Sequence, residues 1–455
     1  MRMIVIAIAS AIASYFIAVA LGGTHEVSIT LAITLLTAIL WITEAIPIPV
    51  ASLIPFVGFP FAGILTHKEA SSALGSHVII LLMGGFMLAK AIEKCGVHER
   101  FALNMIRFTG GNSGFKIIFA FMATAAMLSM WISNTATVLA LLPVALAVTQ
   151  HSDNDRFKLM LLLGLAYSAS LGGVGTLIGT PPNVIFASVY EEFTKTEYGF
   201  LNWMKTGVPI ILIGIPVMAL WLSRGIKLNH EITLPATQAW RSEEARTIAV
   251  FAGVAFLWIF RREPFGGWSG LFDLKMVGDS TIALLGVVVM FIVPKGKGMK
   301  EKLLDWKTAT DIPWGMLLLF SGGICIAKAF VASGLSQVIG EGLSGITELP
   351  IIAVMLLIAL AVSFLTEITS NTATATLLMP ILASAAVTNN IPLELIMIPA
   401  VISCSCAFCL PVATAPNSII FASGNVTIKQ MAREGMVLNV IVACVVSVVC
   451  YFTLA

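Results

Sequence analysis

Charge is what this sequence lacks. Asp, Glu, Lys and Arg make up 11% of its 455 residues, against about 25% in a soluble domain. With 58% apolar residues and a mean hydropathy of +0.97, the chain cannot clothe a fold of this length in polar surface. An ordinary soluble enzyme is excluded, and lipid is the solvent the composition implies. The net charge of +2 gives no footprint for nucleic acid. Seven cysteines, an odd count, argue against a disulfide framework. Cys404, Cys406 and Cys409 stand in an apolar run without a nearby histidine, so they read as small packing residues rather than metal ligands. No Ser/His/Asp set and no His-Glu-x-x-His motif points to an intramembrane enzyme. Gly172-Gly173-Val174-Gly175 has no Gly-Lys-Ser/Thr continuation, so it reads as close packing and not as a nucleotide loop.

What is present is a series of apolar runs separated by polar turns. Spans are expected near 4–21, 28–47, 49–65, 78–96, 157–190, 206–224, 246–261, 280–294, 314–335, 391–425 and 432–454. The first is read as a retained span rather than a cleaved leader, because it is long enough to cross. Basic residues set the orientation. Eighteen of 26, led by Lys295, Lys297, Lys300, Lys302 and Lys307, fall on one side, which is then cytoplasmic. That bias fits eleven crossings with the N-terminus inside and the C-terminus outside, in an inner (plasma) membrane. It also requires two further apolar stretches, 116–147 and 349–384, to leave on the side they entered. Both are therefore expected as re-entrant hairpins, the first opening inward and the second outward.

An internal repeat organises the chain. Gly84-Gly85-Phe86-Met87-Leu88-Ala89-Lys90-Ala91 returns as Gly322-Gly323-Ile324-Cys325-Ile326-Ala327-Lys328-Ala329. Ser133-Asn134-Thr135-Ala136-Thr137 returns as Ser370-Asn371-Thr372-Ala373-Thr374. Ile178-Gly179-Thr180-Pro181-Pro182-Asn183 returns as Val412-Ala413-Thr414-Ala415-Pro416-Asn417. The three matches keep their order and a nearly constant offset, which chance does not readily produce. An odd number of crossings separates the copies, so they run in opposite directions. The expected fold is an all-α polytopic membrane protein of eleven transmembrane helices plus two re-entrant hairpins in two inverted repeats. Its expected divisions are an N-terminal span (1–27), a first repeat (28–226) with its hairpin and a broken span at 157–190, a cytoplasmic linker (227–245), and a second repeat (246–455) with a broken span at 391–425. Inverted repeats place a binding site near the bilayer midplane, built from broken helices of both halves.

Ser-Asn-Thr is costly facing lipid but suited to a hairpin tip, where polar side chains replace lost backbone partners. Helix N-termini at such a tip offer free N–H groups and partial positive charge to a carboxylate. The prolines in each later break remove a donor and free a carbonyl near Gly179 and near Ala413. Oxygens of Ser129, Ser133 and Asn134 with the Gly179 carbonyl form one candidate cation site. Thr366, Thr369 and Asn371 with the Ala413 carbonyl form the other. No Lys, Arg or His occurs in 159–190, 349–384 or 391–425, and the first hairpin has only Lys116, at its mouth. A di-anion held at the tips would meet no basic side chain. Bound cations are the simplest source of the missing charge, and at least two are expected. Glu367, beside Thr366, is an intramembrane acid and so a functional candidate.

The two Ser-Asn-Thr motifs, the breaks at 179–183 and 413–417, and Thr43-Glu44-Ala45-Ile46-Pro47 resemble the divalent anion/sodium symporter family over nearly the whole chain. The resemblance implies a homodimer in which each protomer has a scaffold and a transport domain that slides as an elevator. It implies that Ser133, Asn134, Thr135, Ser370, Asn371 and Thr372 hold the substrate carboxylates, with Thr414 close by. Ala415 replaces a proline often found after that threonine, which puts specificity inferred from that contact in question. The expected function is sodium-coupled symport of C4-dicarboxylates such as succinate, malate and fumarate. Sodium-independent exchange, citrate or sulfate as substrate, and an anion channel are the competing readings.

Overall fold

The computed structural model describes residues 2–97, 100, 104, 113–150, 154–226, 240–296, 301–342 and 349–454. Most of the expected linker, 227–239, and the basic residues Lys297 and Lys300 lie outside the described residues. Among those described the fold is all α, with one isolated bridge between Pro294 and Lys302. Eight helices among the described residues are long and apolar enough to cross a membrane.

The first half opens with α1 (Arg2–Ala20), α2 (His25–Thr43), the short α3 (Ile48–Ala51) and α4 (Ile54–Phe61), α5 (His67–Leu74) and α6 (His77–Cys95). Local chemistry places these ends. Thr24 caps α2 through the Val27 amide, and Thr66 and Glu69 form a capping box on α5. Next come α7 (Gly114–Ser129), α8 (Asn134–Gln150), α9 (Asp155–Gly172), a 3-10 turn at Gly173–Gly175, α10 (Pro181–Thr194) and α11 (Phe200–Ser223). The second half holds α12 (Ser242–Ile259), α13 (Gly267–Leu271), α14 (Asp279–Ile292), α15 (Trp306–Thr310), α16 (Trp314–Ser333) and α17 (Leu335–Gly342). It ends with α18 (Ile351–Leu365), α19 (Asn371–Thr388), α20 (Leu393–Cys404), a 3-10 turn at Pro411–Ala413, α21 (Ala415–Ala422) and α22 (Ile428–Leu454).

The expected interruptions coincide with gaps between helices. Residues 130–133 separate α7 from α8, and 366–370 separate α18 from α19. α7 has 16 residues and α18 has 15. At 1.5 Å per residue each covers about 24 Å or less, short of a hydrocarbon core of about 30 Å. The spans at 157–190 and 391–425 are each two helices joined by an unwound stretch with a 3-10 turn. Pro181 and Pro182 open α10, and Pro416 sits in the first turn of α21, where a missing N–H costs nothing. The order helix, gap, helix, helix, 3-10 turn, helix thus occurs twice.

The helices pack in two groups. α1 to α6 pack with α12, α14, α15 and α16, while α7 to α11 pack with α18 to α22. The groups meet where α6, α12 and α16 face α10, α11 and α19. Within the first group Gly84 lets α6 approach α14; a Cβ there would stand 2.7 Å from that of Ala283. The repeat-related second glycines face the other group. Gly85 lies under Ile178, and a Cβ on Gly323 would come 2.3 Å from Thr376 Cγ2 of α19.

Candidate binding site

Each helix gap brings a hydroxyl at the end of one helix onto the first residue of the next. Ser129 Oγ donates to Asn134 Oδ1 at 2.5 Å. Thr366 Oγ1 donates to Asn371 Oδ1 at 2.6 Å, and also reaches the Cys404 carbonyl at 3.1 Å. The two pairs occupy repeat-related positions. Ser129 and Thr366 are fully buried, whereas Asn134 and Asn371 are half-buried and Ser133 and Ser370 are exposed.

The first cluster is the tighter one. A Cβ placed on Gly173 would stand 2.8 Å from Asn134 Oδ1 and 3.1 Å from the Gly179 carbonyl oxygen. One placed on Gly179 would stand 3.0 Å from the Met130 carbonyl oxygen. Asn134 Oδ1 and the Gly179 carbonyl, two of the four proposed ligands, therefore both border Gly173, and Ser129 joins them through its bond to Asn134. Ser133 is engaged elsewhere: its hydroxyl accepts from the Ala136 amide at 3.1 Å and caps α8.

In the second cluster Thr366 and Asn371 meet as described. Thr369 is turned into its own gap, donating to the Leu365 carbonyl at 2.9 Å and sharing a 2.6 Å contact with Thr374 Oγ1. Ala413 is buried in the 3-10 turn. Thr414 is buried and accepts the Asn417 amide at 3.2 Å, capping α21. Thr372 is buried in the first turn of α19, and Thr135 is half-buried in that of α8. The start of α19 has no side-chain cap, so its first amides carry the helix's partial positive charge without a side-chain partner.

The halves interlock. α8, which begins at Asn134, packs on α21, and α19, which begins at Asn371, packs on α10. Each Ser-Asn-Thr helix therefore lies against the broken span of the other half.

The structure gives roles to two further features, the asparagines of the repeated breaks and the candidate acid Glu367. Asn183 and Asn417 tie down the unwound stretches with their Nδ2 groups, and each keeps a buried Oδ1 without a hydrogen-bond partner. Their place in the repeated motif was the signal. Glu367, 4% exposed, accepts from the amides of Phe408, Cys409 and Leu410 at 2.7–3.0 Å and from Asn439 Nδ2 at 2.7 Å. It clamps the second unwound stretch. Nothing in the sequence linked it to Asn439. At the repeat-related position, Met130 offers its backbone carbonyl to Thr176 Oγ1 instead. The hydrogen-bond partners of both gaps are hydroxyls, amides and carbonyls, with no basic side chain among the described residues.

Apolar helices packed in two groups, with polar unwound breaks inside one of them, are the construction of a polytopic membrane transport protein. Two solved transporters share the fold at low identity. The Alcanivorax borkumensis YdaH transporter aligns with a TM-score of 0.60 at 12% identity, covering 87% of this chain and 89% of that one. Neisseria gonorrhoeae MtrF aligns with a TM-score of 0.57 at 15% identity, covering 94% of each. The citrate transporter family model matches residues 38–396, and the chain belongs to this family of divalent anion/sodium symporters. The sodium-dependent dicarboxylate transporter SdcS of Staphylococcus saprophyticus is 39% identical over 446 residues, 93% of this chain and 85% of that protein. The SdcS protein of Staphylococcus aureus is 38% identical over 448 residues, with the same coverage.

Proposed function

We propose that this protein is a sodium-coupled symporter of C4-dicarboxylates, succinate, malate and fumarate among them, working by an elevator movement. The carrying observation is the repeated contact of a buried hydroxyl with the first residue of a helix, Ser129 with Asn134 and Thr366 with Asn371. Each pair gathers hard oxygens beside a helix N-terminus. Helix N-termini contribute roughly half a positive charge each, so two of them fall short of a di-anion's charge by about one unit. Two sodium ions would over-compensate that deficit, so substrate and cations favour each other's binding. Coupling follows from this mutual dependence.

On this reading Ser129, Ser133, Asn134 and the Gly179 carbonyl hold one sodium ion. Thr366, Thr369, Asn371 and the Ala413 carbonyl hold the other. Ser133 and Thr369 would turn from their present hydrogen bonds to take part. Ser133, Asn134, Thr135, Ser370, Asn371, Thr372 and Thr414 face the carboxylates. The group containing α7 to α11 and α18 to α22 is the moving unit, and the other group is the scaffold. The two short helix pairs are re-entrant hairpins of an inverted repeat with eleven crossings, and the functional unit is a homodimer. The 38–39% identity to sodium-dependent dicarboxylate transporters supports the substrate class and the cation.

Uptake of labelled succinate into proteoliposomes, with sodium or choline outside, tests the proposal. Saturable uptake that requires the sodium gradient is expected. Equal uptake in choline would replace symport with exchange, and non-saturating flux would replace it with a channel.

A further inference from the structure

Repeat-related positions at the two hairpin tips have unlike surroundings. Trp131 of the first tip stacks on Phe200 at 6.0 Å and sets its edge against Phe251 of α12 at 5.3 Å. Phe200 stacks in turn on Trp258 of α12 at 4.7 Å. Ile368, the counterpart of Trp131 in the second copy, is 75% exposed. The breaks differ in the same sense. Ile178 is 8% exposed against Gly85 of α6, while Val412, its counterpart in the second break, is 80% exposed.

Beside the aromatic stack lies a buried ionic clasp. Arg261, 4% exposed, pairs with Asp279 at 2.8 Å and Glu197 at 2.9 Å. Arg262 reaches the other oxygen of Glu197 at 2.5 Å. Asp279 also accepts the Phe200 amide at 3.1 Å, and its carbonyl takes Trp258 Nε1 at 2.9 Å, so clasp and stack share atoms. The facing ends of α10 and α11 carry further ties to the other packing group. Glu191 faces His77 at 3.4 Å, Glu192 faces Lys328 at 4.0 Å, and Lys205 pairs with Glu263 at 2.8 Å. Polar links from the end of α10 and the start of α11 to α6, to α16 and to the segment between α12 and α14 are a fastening between groups rather than within one.

We infer that the stack of Trp131, Phe200 and Trp258, with the Arg261 clasp on Glu197 and Asp279, is the outer seal of the transport path. The structure is then the inward-open state, with Ile368 and Val412 lining the open side. The inference rests on the two-unit reading above. Because the halves are inverted copies, the outward-open state exchanges these environments. The stack parts, Ile178 becomes accessible, and Val412 packs against the scaffold. Buried ion pairs suit this role because each partner without the other is costly, which makes the seal two-state rather than gradual.

The test measures labelling of Ile178→Cys and, separately, Val412→Cys by a membrane-impermeant maleimide in proteoliposomes, located by mass spectrometry so that native cysteines do not interfere. Each is combined with Trp131→Ala, with Glu197→Gln and with the conservative Trp131→Phe. Trp131→Ala and Glu197→Gln are expected to raise labelling at 178 at least threefold and lower it at 412 by a similar factor. Trp131→Phe is expected to leave both near the parent level. Labelling that rises at both positions, or a lowered thermal midpoint with neither position changed, overturns the seal. These readouts need no sodium coupling, so a protein that exchanges without sodium yet shows the reciprocal shift would overturn symport and leave the seal standing.

Discussion

Asn183 and Asn417 perform the same task in opposite halves of the chain. Asn183 Nδ2 donates to the carbonyls of Gly173 and Thr176, at 2.9 and 2.7 Å. Asn417 Nδ2 donates to those of Ala407 and Leu410, both at 3.0 Å. In each case the acceptors lie ten and seven residues upstream, inside the unwound stretch. A break in a membrane helix strands carbonyls that water cannot reach, and one buried carboxamide satisfies two of them.

Asn183→Ala and Asn417→Ala each strand two carbonyls. At about 1–3 kcal/mol per unsatisfied group, each is expected to lower the thermal midpoint in detergent and to reduce uptake. The two losses should be alike. A large effect at one position and none at the other would break the functional equivalence of the halves.

Asn134→Ala and Asn371→Ala remove a proposed cation oxygen from a half-buried position. Contacts to a charged group contribute about 1.5–3 kcal/mol, so the sodium concentration for half-maximal uptake should rise roughly tenfold or more. Sodium titration of succinate uptake reads this directly. An unchanged sodium response with normal uptake removes both residues from the cation sites.

Glu367→Ala removes the carboxylate acceptor of four donors, three of them backbone amides, of which Phe408 keeps a second bond to Asn439 Oδ1 at 3.2 Å. The variant is expected to lose several kcal/mol and accumulate poorly. Glu367→Gln keeps one acceptor oxygen and should be intermediate. Thermal unfolding of the purified variants ranks them; a Gln variant no better than Ala would mean that charge, and not hydrogen-bond number, holds the stretch.

Gly172→Val tests the contact between α7 and α9. A Cβ there would stand 2.4 Å from Ala126 Cα, which is backbone and cannot turn aside. Overpacking of this kind costs about 1–3 kcal/mol or more, so α7 should shift and both stability and sodium-dependent uptake should fall. Gly253→Val, at a site with nothing within 4 Å, is the control and should behave as the parent.

Composition and patterning by themselves determined that the chain is helical, lipid-solvated and built from a repeated pattern. Those properties follow from the number of apolar residues and their order along the chain. The motifs also located the helix interruptions, because proline and clustered hydroxyls cannot continue a lipid-facing helix whatever surrounds them. Only the tertiary structure decided which distant groups meet. It put Asn134 Oδ1 and the Gly179 carbonyl beside Gly173, gave Glu367 the amides of residues 408–410 and Asn439, and turned Ser133 and Thr369 toward local partners. It also covered Trp131 and bared Ile368, though the repeat treats the two positions alike. The reason is physical: two copies of a motif have equal local preferences, but their surroundings are set by contacts with distant and unlike parts of the chain.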